Sequence, residues 1–452
     1  MTTTIRDQAA VRCWKRYPEY RPITHRWLTS APTTWAVKKV SWLFHATGSG
    51  TTPNTGDQSY FGGDIPWVNT GDLNDGWLDD IQKSVTETAI IDHSALKVYP
   101  AGTLLIALYG ATIGKLGIVS RPAVTNQACF AMARPKGVDV RYVLYWFLGN
   151  RERIVAMSYG GGQPDVSGEL IRNLRINVPP LSEQCCIAAF LDRETATIDA
   201  LVAQKERLIA LLEEKRRAVI SHAVTRGLDP AAPLKDSGSP FWGPIPDHWT
   251  MTKLRYLVPD ERQVMYGIVL PGPHVDDGIP IVKGGNCEEG RLRLEFMSRT
   301  SKEIEAGYAR SRLQEGDIVY AIRGSIGAAQ IVPAELSGAN LTQDAARIAR
   351  HPGVNVRWLL YAVRSMPFFA KLEAGALGAT IQGINIRDLK RADLPCPGMG
   401  EQEQIARFLD RQCCQTDSLI QRVADGIAHL HEYRAALISA AVTGQIDVRG
   451  EV

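Results

Sequence analysis

Two matching stretches of the sequence decide how the rest of the chain is organised. Residues 183–193 read EQCCIAAFLDR, and residues 401–411 read EQEQIARFLDR, at a constant offset of 218. The match continues without a gap as far as Thr225 in the first copy and Thr443 in the second. A constant offset over this length indicates one rigid element in each copy, because a loop would tolerate insertions and deletions.

The spacing of apolar residues predicts that this element is a long amphipathic helix. Apolar residues recur at intervals of three, four and seven, with charged residues between them. These residues are Ile187, Leu191, Ile198, Leu201, Leu208, Leu211 and Leu212. Pro179, Pro180 and Ser182 can begin the helix, and Gly227 can end it. At about 1.5 Å per residue the helix would span roughly 65–70 Å, so we expect the two copies to pair. The alternative is a solvated helix belonging to a single domain, which leaves the duplication unexplained.

The duplication also covers the segment in front of each helix. Residues 65–68 align with residues 279–282 at an offset of 214, and a small shift brings Gln127 onto Gln343. Short apolar runs bounded by Gly, Pro, Asn or Asp predict strands, and residues 140–148 predict a short helix. We therefore predict an α+β protein, a tandem duplication of a mixed, mostly β globular domain followed by a long helix. The two long helices would pair as an antiparallel coiled coil.

The connection between the halves favours the antiparallel arrangement. Residues 227–248 are rich in proline and glycine and reach at most about 73 Å. Parallel pairing would require this connection to run back along the whole helix, whereas antiparallel pairing places the globular domains at opposite ends of the pair. The predicted segments are a first globular domain (1–180), a first long helix (181–226), a linker (227–248), a second globular domain (249–398), a second long helix (399–443) and a C-terminal tail (444–452).

The composition is that of an ordinary globular protein, with 45% hydrophobic and 22% charged residues. The first ten residues are polar, and no apolar run approaches the roughly 18 residues that a membrane span needs. We therefore expect a soluble, cytoplasmic protein without a membrane partner. The eight cysteines form no C-x-x-C motif, so we expect buried, reduced thiols and no metal site.

The net charge of +3 is distributed unevenly along the chain. Lys and Arg exceed Asp and Glu by five in residues 1–180 and by three in residues 249–398, whereas residues 181–226 are neutral. A polyanion would therefore bind to the globular domains, and the helices would act as spacers or docking elements.

No stretch of the sequence carries a recognisable catalytic motif. Residues 110–116 read GATIGKL, which is one residue too short between the glycines for a phosphate-binding loop and lacks Ser or Thr after the lysine. The second copy has no lysine there, so we predict a tight turn. Nucleophile-elbow, zinc-protease and dinucleotide-binding motifs are not found either. We expect a binding protein with no catalytic residues.

Cationic and amide side chains in loops with aromatic neighbours are the candidate nucleic-acid contacts. Arg and Lys can bind guanine edges, and Gln or Asn can bind adenine edges. In the first domain the candidates are Lys83, Tyr109, Arg121, Gln127 and Gln163. In the second domain they are Lys283, Asn286, Arg323, Gln343 and Gln382. Each is by itself an ordinary surface group, but Tyr109 and Arg323 occupy matching positions and differ, as two readers of different sequences would.

These features resemble the specificity subunit of type I restriction-modification systems. The resemblance covers nearly the whole chain and depends on residues 62–73 (GGDIPWVNTGDL), 110–115 (GATIGK) and 178–184 (VPPLSEQ) with the helix that follows. It implies that two target-recognition domains each read one half of a bipartite, asymmetric DNA site. It also implies that the paired helices fix the unread spacer between the halves.

The resemblance further implies which partners the chain binds. These are double-stranded DNA, two methylation subunits that carry S-adenosylmethionine chemistry, and optionally two restriction subunits with motor and nuclease activity. No cofactor is expected in this chain. The alternative is a duplicated protein-binding scaffold without DNA specificity, and exchange of the two globular domains would distinguish the two hypotheses. The bases that are recognised do not follow from the family.

Overall fold

The computed structural model describes residues 14–23, 29–157, 165–376 and 383–451. These residues form two compact units. Unit 1 comprises Met1–Lys205 with Asp425–Val452, and unit 2 comprises Glu206–Ala424. Each unit contains one globular domain and a part of both long helices. The prediction of an α+β protein with a duplicated domain and paired long helices is confirmed.

The strands of unit 1 are built around a five-stranded sheet. They are β1 (Tyr20–Pro22), β2 (Ser30–Pro32), β3 (Ala36–Lys39), β4 (Phe44–Ser49), β5 (Phe61–Val68), β6 (Gly76–Leu78), β7 (Ser84–Val85), β8 (Leu104–Ala107), β9 (Leu116–Val119), β10 (Val124–Thr125), β11 (Cys129–Pro135) and β12 (Arg175–Val178). The large sheet has the order β4-β11-β8-β9-β6, and a three-stranded sheet has the order β10-β5-β7. β1 pairs with β2, and β12 pairs with β3.

The described part of unit 1 contains four short α-helices and a part of the first long helix. They are α1 (Glu87–Asp92), α2 (Val140–Gly149), α3 (Arg151–Val155), α4 (Gly168–Asn173) and α5 (Leu181–Arg226), the first long helix. Asp139 caps α2 by accepting a hydrogen bond from the backbone N–H of Arg141 at 2.8 Å. α2 is apolar on nearly all sides and is therefore buried. Its Trp146 and Phe147 belong to the same core as Ile187 of α5.

Unit 2 repeats this plan with shorter strands. They are β13 (Leu234–Asp236), β14 (Pro244–Pro246), β15 (Thr250–Lys253), β16 (Met265–Tyr266), β17 (Ile279–Val282), β18 (Ser298–Thr300), β19 (Ile318–Ala321), β20 (Ala329–Ile331), β21 (Asn340–Leu341), β22 (Ala345–Ile348) and β23 (Asp393–Cys396). The sheet orders are β16-β22-β19-β20 and β18-β17-β21, with the pairs β13-β14 and β15-β23. The helices are α6 (Lys302–Ala306), α7 (Val356–Arg364), α8 (Met366–Ala376), α9 (Ile386–Arg391) and α10 (Met399–Val442), the second long helix.

Residues 110–115 form a tight turn between β8 and β9. Gly110 and Gly114 have φ angles of 82° and 76°, in the left-handed region that glycine adopts readily. The matching turn in unit 2 has Gly324 and Gly327 at 70° and 89°. The glycines of this motif therefore allow the chain to turn between the two strands of the hairpin.

The long helices α5 and α10 run antiparallel within each unit. In unit 1, Arg434 Nε donates to Asp199 Oδ1 at 2.9 Å. In unit 2, Arg216 forms an ion pair with Asp417. The two pairs are copies of each other, because both the aspartates and the arginines are related by the offset of 218.

The seam between the helices differs from the predicted apolar stripe. Leu201, Leu208 and Leu211 belong to the apolar face predicted for the amphipathic helix, but they are exposed. The less exposed positions of α5 recur instead at intervals of four and three, which is heptad spacing. They are Ile198, Val202, Lys205, Ile209, Leu212, Arg216 and Val219. Leu211 and Leu212 are adjacent and both apolar, but only Leu212 lies at one of the less exposed positions. The spacing of apolar residues alone therefore does not identify the seam.

The duplicated glutamine attaches each long helix to the globular domain of its own unit. In unit 1, Gln184 Oε1 accepts from the backbone N–H of Asp139 at 2.9 Å, and its Nε2 donates to a main-chain carbonyl at the start of the helix. In unit 2, Gln402 Oε1 accepts from the backbone N–H of Asn355, also at 2.9 Å. In both units the glutamine amide, near the start of the long helix, contacts the N-cap residue of a short apolar helix. This helix is α2 in unit 1 and α7 in unit 2.

The duplicated glutamate makes a second attachment. Trp35 Nε1 donates to Glu183 at 2.8 Å in unit 1, and Trp249 Nε1 donates to Glu401 at 2.8 Å in unit 2. The Glu-Gln motif therefore has a structural role that explains its presence in both copies.

The segments between and after the repeats contribute to the cores. Trp242 and Ile245, from the segment predicted as a linker, are buried in the core of unit 2. Ile446 and Val448, from the segment predicted as a tail, are buried in the core of unit 1.

Candidate nucleic-acid interface

In each unit, two parallel strands end beside a short 3-10 turn. β5 pairs with β10 in unit 1, and β17 pairs with β21 in unit 2. The turns are Thr70–Asp72 and Gly284–Cys287. We call the surrounding residues the unit 1 edge and the unit 2 edge. The unit 1 edge comprises Asn69, Asp72, Tyr109, Asn126 and Gln127. The unit 2 edge comprises Lys283, Asn286, Arg323, Gln343 and Asp344.

The unit 2 edge brings together the four described candidates that the sequence predicted for this half. The backbone of Gly284 passes so close to Arg323 that an added Cβ would lie 2.5 Å from the Arg323 carbonyl oxygen. The backbone N–H of Arg323 donates to the carbonyl of Asp344 at 3.1 Å, which places Arg323 beside the segment carrying Gln343. Lys283 is exposed at the start of the same turn.

The two turns are closed in the same way by different side chains. In unit 1, Asp72 Oδ2 accepts from the backbone N–H of Asn69 at 2.7 Å. In unit 2, Asn286 Oδ1 accepts from the backbone N–H of Lys283 at 2.9 Å. The amide oxygen of Asn286 holds the turn, so one of its two lone pairs is already engaged and its orientation is fixed by the backbone. Lys283 is the better placed of the two to reach a ligand.

The unit 1 edge contains two of its five predicted residues. The backbone N–H of Leu108 donates to the carbonyl of Ala128 at 2.8 Å, so Tyr109 and Gln127 lie next to each other at this edge. Gln127 Oε1 accepts from the hydroxyl of Thr52 at 2.7 Å. This exposed bond is easily exchanged for a bond to a ligand, because both groups are also accessible to water.

Lys83 and Arg121 lie elsewhere in unit 1. The carbonyl of Lys83 accepts from the backbone N–H of Trp67 at 2.8 Å, on the side of β5 away from β10. Arg121 is exposed in front of β10, at the end opposite Gln127. Neither residue belongs to the unit 1 edge, although their exposure leaves contacts with a long ligand open.

Gln163 and Gln382 lie outside the described residues. The chain just after each of them is anchored at an edge. Asp165 forms a β-bridge with Tyr109 in unit 1. In unit 2, the backbone N–H of Ile384 donates to the carbonyl of Ile322, next to Arg323, at 2.8 Å.

The two edges differ in charge. The unit 2 edge has two cations, Lys283 and Arg323, beside Asp344, whereas the named residues of the unit 1 edge are amides, a phenol and Asp72. Burial raises the pKa of the Cys287 thiol, in the unit 2 turn, to about 12. This thiol therefore stays neutral and contributes packing only.

The predicted contacts did not include Asn69, Asp72, Asn126 and Asp344 of the edges, nor Phe296 beside the unit 2 edge. Asn126 Nδ2 donates to Asn69 Oδ1 at 3.2 Å, which links the two strand ends of unit 1. Projecting Lys283 back by the offset of 214 would have identified Asn69. Phe296 is exposed beside Asn286, whose Nδ2 lies 3.5 Å from the Phe296 carbonyl oxygen. No repeat or motif in the sequence singles out Phe296.

The described ranges contain neither a metal-binding cluster nor a membrane-spanning helix. No group of three or more His, Cys, Asp or Glu side chains there is arranged to hold a metal ion. No helix in the same ranges combines the length and the hydropathy that a bilayer crossing requires.

The sequence and the fold both match known proteins. The sequence model of the type I restriction modification DNA specificity domain matches residues 32–210 and 276–425. The chain is 27% identical to the type I restriction enzyme EcoBI specificity subunit of Escherichia coli, over 72% of this chain and 70% of that protein. It is 23% identical to the MjaVIII specificity subunit of Methanocaldococcus jannaschii, over 86% and 87% of the two chains.

Two solved structures share the fold. A chain from a study of complex assembly and conformational transition of the type I R-M system aligns with a TM-score of 0.70 and 16% identity, covering 93% of this chain and 99% of that chain. The HsdS subunit from Thermoanaerobacter tengcongensis aligns with a TM-score of 0.51 and 16% identity, covering 92% and 98%. Because the family model matches more than half of the sequence, this chain belongs to the family of type I restriction-modification specificity subunits.

Proposed function

We propose that the chain is the DNA-recognition subunit of a type I restriction-modification complex, and that each edge reads one half of a bipartite site. The observation that carries the proposal is that the two units repeat the same backbone arrangement but carry different side chains at matching positions. The same turn presents Asn69 in unit 1 and Lys283 in unit 2, and the same hairpin end presents Tyr109 and Arg323. A duplicated frame that carries different side chains at matching positions is suited to binding two different base sequences.

The chemistry of each edge suits a major groove. Arg323 and Lys283 can donate to guanine O6 and N7, and Gln127 can bind an adenine edge once its contact with Thr52 is released. Lysines and arginines elsewhere on the globular domains would supply phosphate contacts, which give salt-dependent affinity without base preference.

The rest of the complex would provide the catalysis. Two methylation subunits would bring S-adenosylmethionine and transfer its methyl group, two restriction subunits would be optional, and this chain would be non-catalytic. The antiparallel helices would fix the spacer between the half-sites and contribute to docking the methylation subunits. The ion pairs Asp199–Arg434 and Arg216–Asp417 would help to hold the helix register.

The test is to map adenine methylation in cells that express the chain with its methylation subunit. We expect a split, asymmetric motif that disappears when the chain is deleted. Arg323→Ala should relax one half of the motif and leave the other half unchanged, with a loss at the affected position of about 5- to 150-fold, because a bidentate base contact contributes roughly 1–3 kcal/mol.

Arg350→Ala is the matched control. Arg350 is exposed beyond the other end of β22 from Asp344, so its loss removes the same charge from unit 2 without touching the edge. Equal relaxation by both variants would contradict base reading by Arg323. A wild-type chain that binds its partners but yields no sequence-dependent methylation would favour a protein-binding scaffold.

A further inference from the structure

Each unit exposes one large aromatic side chain at the same place in its fold. Trp42 is 63% exposed in unit 1, and Tyr256 is 61% exposed in unit 2. Each is the last residue of a 3-10 turn, Val40–Trp42 or Leu254–Tyr256. The two positions are related by the offset of 214 that aligns the globular domains.

A lysine is the N-cap of the turn in both units, Lys39 in unit 1 and Lys253 in unit 2. The helix α4 packs against the first turn and α9 packs against the second. We call the pair Lys39 and Trp42 the unit 1 patch, and the pair Lys253 and Tyr256 the unit 2 patch.

The backbone around each patch is held by the same hydrogen bonds. The N–H of Val40 donates to the carbonyl of Leu174 at 2.9 Å, and the N–H of Leu254 donates to the carbonyl of Ala392 at 2.9 Å. The turn and the end of the short helix are therefore joined in both units. The aromatic residue and the N-cap lysine of its turn are therefore presented on the same support in both units.

The patch is separate from the edge that would read DNA. In unit 1, Trp42 lies before the first residue of β4, whereas Gly50, just after that strand, hydrogen-bonds through its N–H to Thr125 at 3.1 Å beside the edge. At about 3.3 Å per residue, β4 separates the patch from the edge by about 20 Å.

The two patches share their chemistry, whereas the two edges do not. Surfaces that must bind different sequences are expected to differ, and surfaces that bind two copies of one partner are expected to agree. We propose that the patches dock two copies of the same protein partner, the methylation subunit, through an acidic surface with a recess for the aromatic ring. This inference rests on the proposed function and assigns a docking role to the globular domains in addition to the helices.

A protein partner fits the patches better than DNA does. The phosphate backbone of a duplex attracts cations but has no recess for an indole ring, whereas Trp, Tyr and Arg are the residues that most often dominate protein interfaces. The guanidinium of Arg255 stacks over the ring of Tyr256 at 4.6 Å, which keeps that ring ordered at the surface.

The experiment measures assembly of the full-length chain with its purified methylation subunit, by mass photometry for stoichiometry and calorimetry for affinity. Trp42→Ala and Tyr256→Ala should each weaken one of the two binding events by about 30-fold or more, as a hot-spot truncation does. The double variant should weaken both, and Trp42→Phe should restore most of the affinity lost in Trp42→Ala.

Trp77→Ala is the matched control. Trp77 is 46% exposed in unit 1, and the corresponding residue in unit 2 is Arg291, so this tryptophan is not part of a repeated surface. Its loss should leave assembly unchanged. Thermal unfolding of Trp42→Ala, Tyr256→Ala and the double variant should match the wild type, because the replaced rings are largely exposed.

Two outcomes would overturn the inference. In the first, the double variant assembles with wild-type stoichiometry and affinity. In the second, it assembles normally but loses affinity for duplex DNA, which would make the patches a nucleic-acid contact. Failure of the proposed function is distinguishable, because it would appear as absence of a methylated motif with the wild-type chain even where assembly occurs.

Discussion

The attachment of the first long helix to its domain can be tested by Trp35→Phe. In unit 1, Glu183 is 6% exposed and accepts two hydrogen bonds, from Trp35 Nε1 at 2.8 Å and from the hydroxyl of Tyr17 at 2.6 Å. Burial, followed by the contact with Glu183, raises the pKa of Tyr17 above its usual value, so the phenol remains a donor. The substitution would leave the carboxylate with only one of these two donors.

The expected loss follows from the charge of the acceptor. A hydrogen bond to a charged group contributes about 1.5–3 kcal/mol, and a buried group left without its partner costs a similar amount. Trp35→Phe also removes part of a buried ring. Trp146→Phe provides the matched control, because Trp146 is fully buried in the same core and its Nε1 has no acceptor among the described residues. The difference between the two variants isolates the hydrogen bond.

The assay is thermal unfolding of the full-length chain by calorimetry, with denaturant unfolding as a second measure. We expect the transition of unit 1 to fall further in Trp35→Phe than in Trp146→Phe, by about 3–12 °C, since roughly 2–4 °C correspond to 1 kcal/mol at this size. Equal midpoints for the two variants would refute the reasoning. It would mean that ring volume, and not the bond to Glu183, determines the effect.

Three further predictions concern the seam, the acid stability and the unit 2 edge. Leu212→Asp should lower the stability of unit 2 by about 1–3 kcal/mol in denaturant unfolding, whereas Leu211→Asp should change it little, because only the first residue faces the seam. The hydrogen bond with Arg312 is the main cause that lowers the pKa of Glu305 in the folded protein. The ionised Glu305 therefore stabilises the fold above its unfolded pKa of 4.5, and this contribution is lost as pH falls through the lower folded pKa. Glu305→Gln should flatten the dependence of the unit 2 melting temperature on pH below about 4.5; an unchanged slope would contradict this assignment. Gly284→Ala should alter one half of the methylated motif, because its Cβ would meet backbone at 2.5 Å, whereas Gly285→Ala has open space and should be silent.

The outline of the fold was accessible from local sequence signals. Pro180 and Gly227 flank a helix that runs from Leu181 to Arg226, because proline and glycine act on the backbone at the position where they stand. The constant offset identified the second helix by its likeness to the first. The turn at Gly110 followed from a motif that was too short to bind a phosphate.

The seam between the long helices and the residues of the two edges were harder to predict from the sequence. Leu211 and Leu212 are identical in chemistry, but neighbouring helix positions point about 100° apart, and only the partner helix decides which one is covered. Tyr109 follows β8 and Gln127 precedes β11, and the two residues meet because these two strands pair. Lys83 belongs to the same candidate set by composition, yet the strand order places it on the far side of β5.

The sequence by itself determined the duplication, the position of the long helices, the hairpin turns and the family resemblance. These properties are local or repeated, so residue type and spacing are sufficient to reveal them. Only the tertiary structure decided that Glu183 and Gln184 attach the helix to its domain, that the chain after Gly227 completes the core of unit 2, and that Trp42 and Tyr256 are exposed at equivalent places. Those properties depend on which residues meet across long sequence separations and on which surfaces remain uncovered, and spacing along the chain carries neither kind of information.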